Sequence, residues 1–431
     1  MTAIAQKKSM VYLERSETLS FDEKRLPDAQ ILRGNVRFRH DSALMFCDSA
    51  YFFQKDNSLH AFGHVHLVQG DSLEGFGDVL YYNGNTKIAR FRRNVRLIHK
   101  GTELTTDSLN YNRAKDIAYY FSGGTIKDRL NTLTSVWGQY VPSKDQAIFR
   151  DEVQLVHPKF TLNTDTLEYN TATYQADLVC PTRILYEEET TILSSNGWYN
   201  TRTEHSMLLD RSQIIHADGM TLTGDTIYYD KQSGYGNVRG HMESVDSMHH
   251  TTLYGNRGEI WEGDNHGYAT DSAMLVDWSD SVYTYMHADT LFTTQIPYRI
   301  HSLVAKDSVL QDSVWVLPPP DTLWIDTSYI RIKAYYNVRL YREDIQLVCD
   351  SMHYVGKDSV ATLCGNPVCW NDNNQLSSDT VYIYFKNNKP DHIHGVGNAT
   401  AIKQQEHKIF NQLAGKQMYA YIVDGDLHTV D

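Results

Sequence analysis

Leu104-Thr105-Thr106-Asp107-Ser108-Leu109-Asn110-Tyr111 runs leucine, any residue, a small residue, aspartate, serine or threonine, an apolar residue, any residue, an aromatic. The order recurs at Met45 to Phe52 around Asp48, Leu162 to Tyr169 around Asp165, Leu222 to Tyr229 around Asp225, Leu347 to Tyr354 around Asp350 and Leu376 to Ile383 around Asp379, with a looser copy at Asp78. Successive steps from Asp48 through Asp78, Asp107 and Asp165 to Asp225 are 30, 29, 58 and 60 residues, and Asp350 to Asp379 is 29. A fixed period in this range marks a repeat array. The double steps require degenerate copies midway, and Leu133-Thr134-Ser135-Val136 and Leu193-Ser194-Ser195-Asn196 stand there. Asn256 and Asp289 extend the series, and Glu17, followed by Leu19 and Phe21, opens it.

The parity of the motif carries geometry. Apolar or small residues lie three and one positions before the Asp, but two and four after it. A straight strand has a side-chain period of two and cannot keep that set on one face. The strand therefore changes facing at the Asp step, through a bulge or corner. Small residues just before it, Cys47, Gly77, Thr106, Thr164, Gly224, Cys349 and Ser378, suit a crowded bend. The repeated acids Asp48, Asp78, Asp107, Asp165, Asp225, Asp350 and Asp379 are accordingly read as structural, bonding backbone groups freed at the bend and forming ladders along the stack. Cys47 and Cys349 share one register and are read as small buried residues.

About fourteen residues before each Asp sits a second element: Gly34-Asn35-Val36, Gly63-His64-Val65, Arg93-Asn94-Val95, Asn337-Val338 and Gly365-Asn366-Pro367-Val368. Gly-Asn supplies the positive φ of a tight turn, and Val36-Arg37-Phe38-Arg39 then alternates as a half-buried strand. Each unit of about 30 residues reads as turn, strand, second strand, turn, and no amphipathic helix of any length is evident. The expectation is an all-β chain of stacked, bent hairpins.

Composition narrows the function. The 431 residues carry 40 Lys+Arg against 53 Asp+Glu, a formal charge of −13, which disfavours a general nucleic-acid binder. No apolar run approaches the roughly 18 residues of a membrane-spanning helix. Five cysteines cannot all pair, no C-x-x-C occurs, and Cys364 and Cys369 lack a nearby thiol pair to complete a zinc site. Histidines number 19 but are scattered, His249-His250 and His392-x-His394 being the close groups. G-x-S-x-G, P-loop and H-E-x-x-H motifs are absent. The expectation is no metal, no cofactor and no catalysis.

Along the chain, residues 1–13 form an N-terminal segment, 14–294 a repeat region, 295–330 a Pro-containing loop or insertion, and 331–431 a second repeat region, weaker toward its end. Pro297 and Pro318-Pro319-Pro320 set the break, because proline cannot donate to an interior ladder. Ala3-Ile4-Ala5 before Gln6 matches the small-x-small pattern of a signal-peptidase site, read either as the remnant of a truncated signal peptide or as chance.

Leu19-Ser20-Phe21-Asp22 with Pro27-Asp28-Ala29-Gln30, the Gly-Asn-Val steps and the Leu-x-small-Asp-Ser/Thr steps resemble OstA/LptA-type proteins, in particular the OstA-like proteins of Bacteroidetes, related to LptA and to the N-terminal domain of LptD. The resemblance spans most of residues 14–425 through short, degenerate motifs. It implies an elongated β-jellyroll, or β-taco, in the periplasm, which holds lipopolysaccharide acyl chains in its apolar interior and passes them toward the outer membrane. It also implies other Lpt-type components as partners, through edge-strand pairing, and end-to-end self-association. The chain is far longer than a single LptA-like unit and lacks the alternating, aromatic-girdled segments of an outer-membrane barrel.

The candidate interior lining is Val36, Phe38, Leu104, Leu162, Leu222, Leu347 and Leu376. Patterning does not distinguish a lipid-filled interior from a packed one. Arg90, Arg92, Arg93 and Arg96, in a basic run with Lys87, His99 and Lys100, are candidates for headgroup phosphates or for a solvated outer face. Readings from other classes are a carbohydrate-binding or carbohydrate-active β-solenoid, with tyrosine-rich strands as sugar platforms, and an adhesin-like repeat protein.

Overall fold

The computed structural model describes residues 9–70, 73–261, 263–264, 266–304, 309–311, 314–316, 321–386, 389–405, 409–423 and 426–431. Ala3 to Gln6 and Pro318 to Pro320 lie outside them. The described chain is nearly all antiparallel strand, with one 3₁₀ turn at Pro142–Lys144, as the repeat and its parity predict. Contacts group it into two units, Met1–Ile214 and Ile215–Asp431.

The first unit opens with β1 (Tyr12–Arg15), β2 (Thr18–Phe21), β3 (Gln30–His40), β4 (Ala43–Phe53), β5 (Ser58–Gln69), β6 (Leu73–Asn83), β7 (Ile88–His99) and β8 (Thr102–Asn112). From β3 on, each strand pairs with the next and bends once, so the ladder has two arms. The front arm contains 36–40, 43–47, 65–69 and 73–77; the rear arm contains 30–33, 49–53, 58–62 and 79–83.

The bend is a double insertion opposite a single residue. Arg33 pairs Ser49 and Val36 pairs Cys47, leaving Gly34 and Asn35 facing Asp48. Both inserted residues are left-handed, with φ of 81° and 46°. Gly63-His64 face Asp78, and Arg93-Asn94 face Asp107, in the same way. The Gly-Asn step is thus a mid-strand bulge and not the hairpin turn expected from its composition. The chain bends there without reversing, and reversals come at 41–42 and 54–57. Burial confirms the change of facing: Ala43, Met45 and Cys47 are buried before Asp48, Ala50 and Phe52 after it.

Where the repeat is degenerate, the strand breaks at the corner. Ile117–Tyr120 and Gly124–Lys127 pair separately with the two arms of β8. Thr132–Ser135 and Trp137–Val141 divide at Val136, the place of the missing Asp. At the next degenerate copy Thr190–Ser194 and Asn196–Asn200 divide at Ser195 and leave Leu193 37% exposed, so the corner falls one residue before the Asn196 of the motif alignment.

The second unit repeats the scheme. Asp289 faces Tyr336 and Asn337, and Asp350 faces the same pair from the next strand. Residues 295–304 and 321–330, inside the segment expected as a loop or insertion, extend two strands of 21 residues, Thr284–Val304 and Asp321–Tyr341, paired from Tyr285↔Tyr341 to Val304↔Asp321.

Candidate lipid-binding interior

Alternation on a bent strand sends one side chain in two inward on each arm, and in-register pairing aligns these into rows. One front-arm row runs Phe38, Met45, Leu67, Gly75, Leu97, Leu104, Ile126, Leu133, Leu155, Leu162, Ile184 and Ile192. In the second unit the corresponding row runs Leu222, Ser244, Leu253, Leu275, Met286, Leu340, Leu347, Cys369, Leu376 and Ala401. Six of the seven residues singled out as lining therefore occupy two rows, and Val36 lies on the inward row nearer the corner.

Phe38 and Leu162 are 0% exposed, and Val36, Leu104, Leu347 and Leu376 are also buried. Leu222 is half-buried, because its cross-strand neighbour is the small, polar Ser244. The first interior is filled by its own side chains. Phe38 meets Phe52 of the rear arm at 5.3 Å between ring centres. Gly75 leaves the space that the Phe91 ring occupies, since a Cβ there would lie 2.9 Å from Phe91 Cζ. A cavity of about 40 Å³ remains, lined by Leu97, Leu104, Leu133, Phe149 and Leu155 among others, enough for roughly three waters. The largest fully buried side chains are all in this unit, Tyr82, Tyr111, Tyr120, Phe38, Phe91 and Phe149 among them.

The corner acids are exposed or half-buried and hold the bulges. Asn94 Nδ2 donates to Asp78 Oδ2 at 2.7 Å, Asn337 Nδ2 to Asp289 Oδ2 at 3.0 Å, and Asn35 to Glu17. These contacts run between side chains, with the second inserted residue supplying the donor. Asp107 and Asp165 adjoin broken strands, and Thr166 Oγ1 donates to Asp165 Oδ2 at 3.1 Å.

The four arginines lie on the outer face or at the corner. Arg90 and Arg96 are exposed between the inward Ala89, Phe91, Val95 and Leu97, and Arg93 sits in the bulge. Arg92 donates to Phe91 O at 2.6 Å and Asn110 Oδ1 at 3.1 Å; Arg96 Nε meets Glu103 Oε1 at 2.6 Å. Inward-facing polar groups are found elsewhere, at the mouth where the arm tips meet. His40 Nδ1 of the front arm is 2.6 Å from the Tyr82 hydroxyl of the rear arm, which also accepts from Arg113 Nη1 at 2.6 Å. His99 Nδ1 lies 2.7 Å from the Tyr140 hydroxyl. Phe160 contacts both His157 and Tyr199, at 4.8 and 4.9 Å.

Outside these rings Lys87 meets Asp41 at 2.7 Å, Lys100 meets Asp145 at 3.2 Å and Lys159 meets Glu204 at 2.5 Å. Burial holds the His40, His99 and His157 rings below the usual imidazole range, and pushes the Tyr120 and Tyr169 hydroxyls up to about 12. Sequence reading passed over this seam. Its signal was a superperiod: His40, His99 and His157, with Tyr82, Tyr140 and Tyr199, recur every 58 or 59 residues, and each tyrosine precedes a charge by five.

Among the described residues no group of three or more His, Cys, Asp or Glu is placed to hold a metal ion, and no helix is long and apolar enough to cross a membrane. No curated protein sequence matches the chain. Among solved structures it is similar to LptH of Pseudomonas aeruginosa, described as the LptA-homologous periplasmic component of the lipopolysaccharide transport device, at 12% identity and a TM-score of 0.22, over 23% of this chain and 76% of that one. A family model described as OstA-like protein matches residues 8–165, which run from before β1 to the corner acid Asp165. The similarity to OstA-like proteins is thus a similarity of residues 8–165.

Proposed function

We propose that the chain is a non-enzymatic periplasmic protein of lipopolysaccharide transport, a bridge that carries acyl chains along its inward rows toward the outer membrane. The observation that carries this reading is the apolar row from Phe38 to Ile192, continued from one front-arm strand to the next and lying mostly within the residues that match the OstA-like family. Transferring a chain into such a row is driven by apolar burial at about 25 cal/mol per Å², which a negatively charged protein can exploit. The interior in hand is closed by its own rings, so loading requires the arms to part. Partners of the same transport system add strands at open edges: among the described residues β2 pairs only with β3, and Asp426–Val430 only with Phe410–Val423.

Site-specific photocrosslinking in a lipopolysaccharide-exporting envelope tests this, with the probe at Phe38, Leu104 and Leu222 and an outward control at Arg37. Lipopolysaccharide adducts from the inward sites alone are expected. A folded protein giving none at any inward site would end the proposal.

A further inference from the structure

Each seam ion pair joins a front-arm turn to a rear-arm turn 45 or 46 residues later, and the pairs recur with the superperiod. All three stand outside a line of buried and half-buried rings, which separates them from the apolar row. They are half exposed, so solutes reach them, and exposed pairs of this kind are individually weak. Inside the line His40 is fully buried, with its Nδ1 2.6 Å from the Tyr82 hydroxyl. Arg113 packs beside it, bonded to the Tyr82 hydroxyl, the Gln69 side chain and His40 O. A mouth with apolar side chains within and three lysine–carboxylate pairs without can take an anionic amphiphile whose head replaces the carboxylates.

We infer that the seam binds the phosphate headgroup of an amphiphile, which displaces Asp41, Asp145 and Glu204 from Lys87, Lys100 and Lys159 while its chains enter between the parted arms. The inference rests on the transport reading. The internal carboxylates stand in for the ligand's phosphate in the closed state, and the phosphate, with more acceptor oxygens and greater charge, makes the stronger charge-assisted bonds. The two partners of one ion pair then have opposite effects on binding, because the lysine serves the ligand and the carboxylate competes with it. A merely structural ion pair gives the same sign for both.

Binding of dodecyl phosphate, dodecyl maltoside and inorganic phosphate, all below micellar concentration, is measured by calorimetry on the full chain. The variants are Asp145→Asn with Glu204→Gln, and Lys100→Gln with Lys159→Gln; Asp145→Asn and Lys100→Gln alone, with melting curves, guard against misfolding. Dodecyl phosphate is expected to bind at least about fivefold tighter to the carboxamide variant and at least about fivefold weaker to the lysine variant. Dodecyl maltoside should change less than about twofold in either. Same-direction shifts, or equal shifts for both alkyl probes, overturn the seam site and leave the transport reading intact. Inorganic phosphate binding as tightly as dodecyl phosphate overturns the amphiphile and leaves a free-anion site. Failure of both alkyl probes to bind the parent chain sinks the transport reading itself.

Discussion

His64 Nδ1 lies 2.7 Å from Asp48 Oδ2, sixteen residues earlier in the chain. The same sixteen-residue link joins Asp78 to Asn94 and Asp225 to His241, so the corner acid of one strand clamps the second inserted residue of the next. The first inserted residue is glycine where the acid lies over it. At Gly63 φ is 75°, and an added Cβ would stand 2.4 Å from Asp48 Oδ2.

Gly63→Ala therefore meets both a disfavoured backbone and a collision, and is expected to cost about 1–3 kcal/mol. Adding Asp48→Ala removes the collision and leaves the backbone strain, so the double variant should lose less than the two single losses together. His64→Asn should be close to neutral, since Asn94 and Asn398 already fill that role. Urea unfolding of the four variants checks all three statements; additive losses would rule the clamp out.

Phe38 and Leu222 were chosen from sequence on the same grounds, yet their surroundings differ. Phe38 is fully buried against Phe52, whereas Leu222 is half-buried beside Ser244. Phe38→Ala should destabilise by about 3–5 kcal/mol, and Leu222→Ala by no more than about 2, the lower end for buried leucines. Equal losses would mean that the second interior is packed as tightly as the first.

Burial pushes the Cys47, Cys349 and Cys369 thiols up to about 12, so almost none of each is thiolate at pH 8. Cys180 and Cys364 are only half-buried. Iodoacetamide at pH 8, followed by peptide mass mapping, should mark Cys180 and Cys364 first and the buried three only after denaturant. Early labelling of Cys47 would contradict its place as the small residue inside the corner.

Much of this architecture was legible because it is local. The parity shift across Asp48 and the 29- to 30-residue step need only strand geometry, and together they yield the inward rows. Gly34-Asn35 was misread for a physical reason: two left-handed residues look alike in sequence whether the chain reverses or merely bulges, and only the partner strand decides. Leu193 was misplaced because Ser194, Ser195 and Asn196 all suit a corner, and the burial of Gly197 and Tyr199 sets the phase. The seam was hidden because its contacts cross between arms with a stagger. His40 meets Tyr82 three strands on, in the other arm, and the repeat spacing does not reveal that offset. The arginines drew attention as a run, but alternation with Phe91 and Val95 turns them outward.

The seam also sets a pH dependence. His40 is lowered chiefly by burial, with Asp41 and a backbone bond to Ser9 opposing and Arg113 and Lys87 assisting. Its Nδ1 faces the Tyr82 hydroxyl at 2.6 Å and Arg113 Nη1 at 3.3 Å, so a proton there would confront a guanidinium. A base whose folded value lies below its unfolded 6.5 binds more protons when unfolded, so stability rises with pH through that window and falls on acidification below about 6.5. His99 and His157 are lowered in the same sense. Asp41, by contrast, is held at about 2, chiefly by Lys87, so its contribution is full above the ordinary carboxylate range and disappears only as pH falls through about 2. Within the seam, loss of stability between pH 7 and 5 thus belongs to the lowered histidines His40, His99 and His157. The melting temperature of the parent chain should drop over that interval, and His40→Gln, which carries no titrating ring, should drop less while starting lower at pH 7.5. Melting curves at pH 7.5, 6.5 and 5.5 decide it: a flat parent profile, or a variant with the full slope, would rule out His40 as the source of the seam's pH dependence.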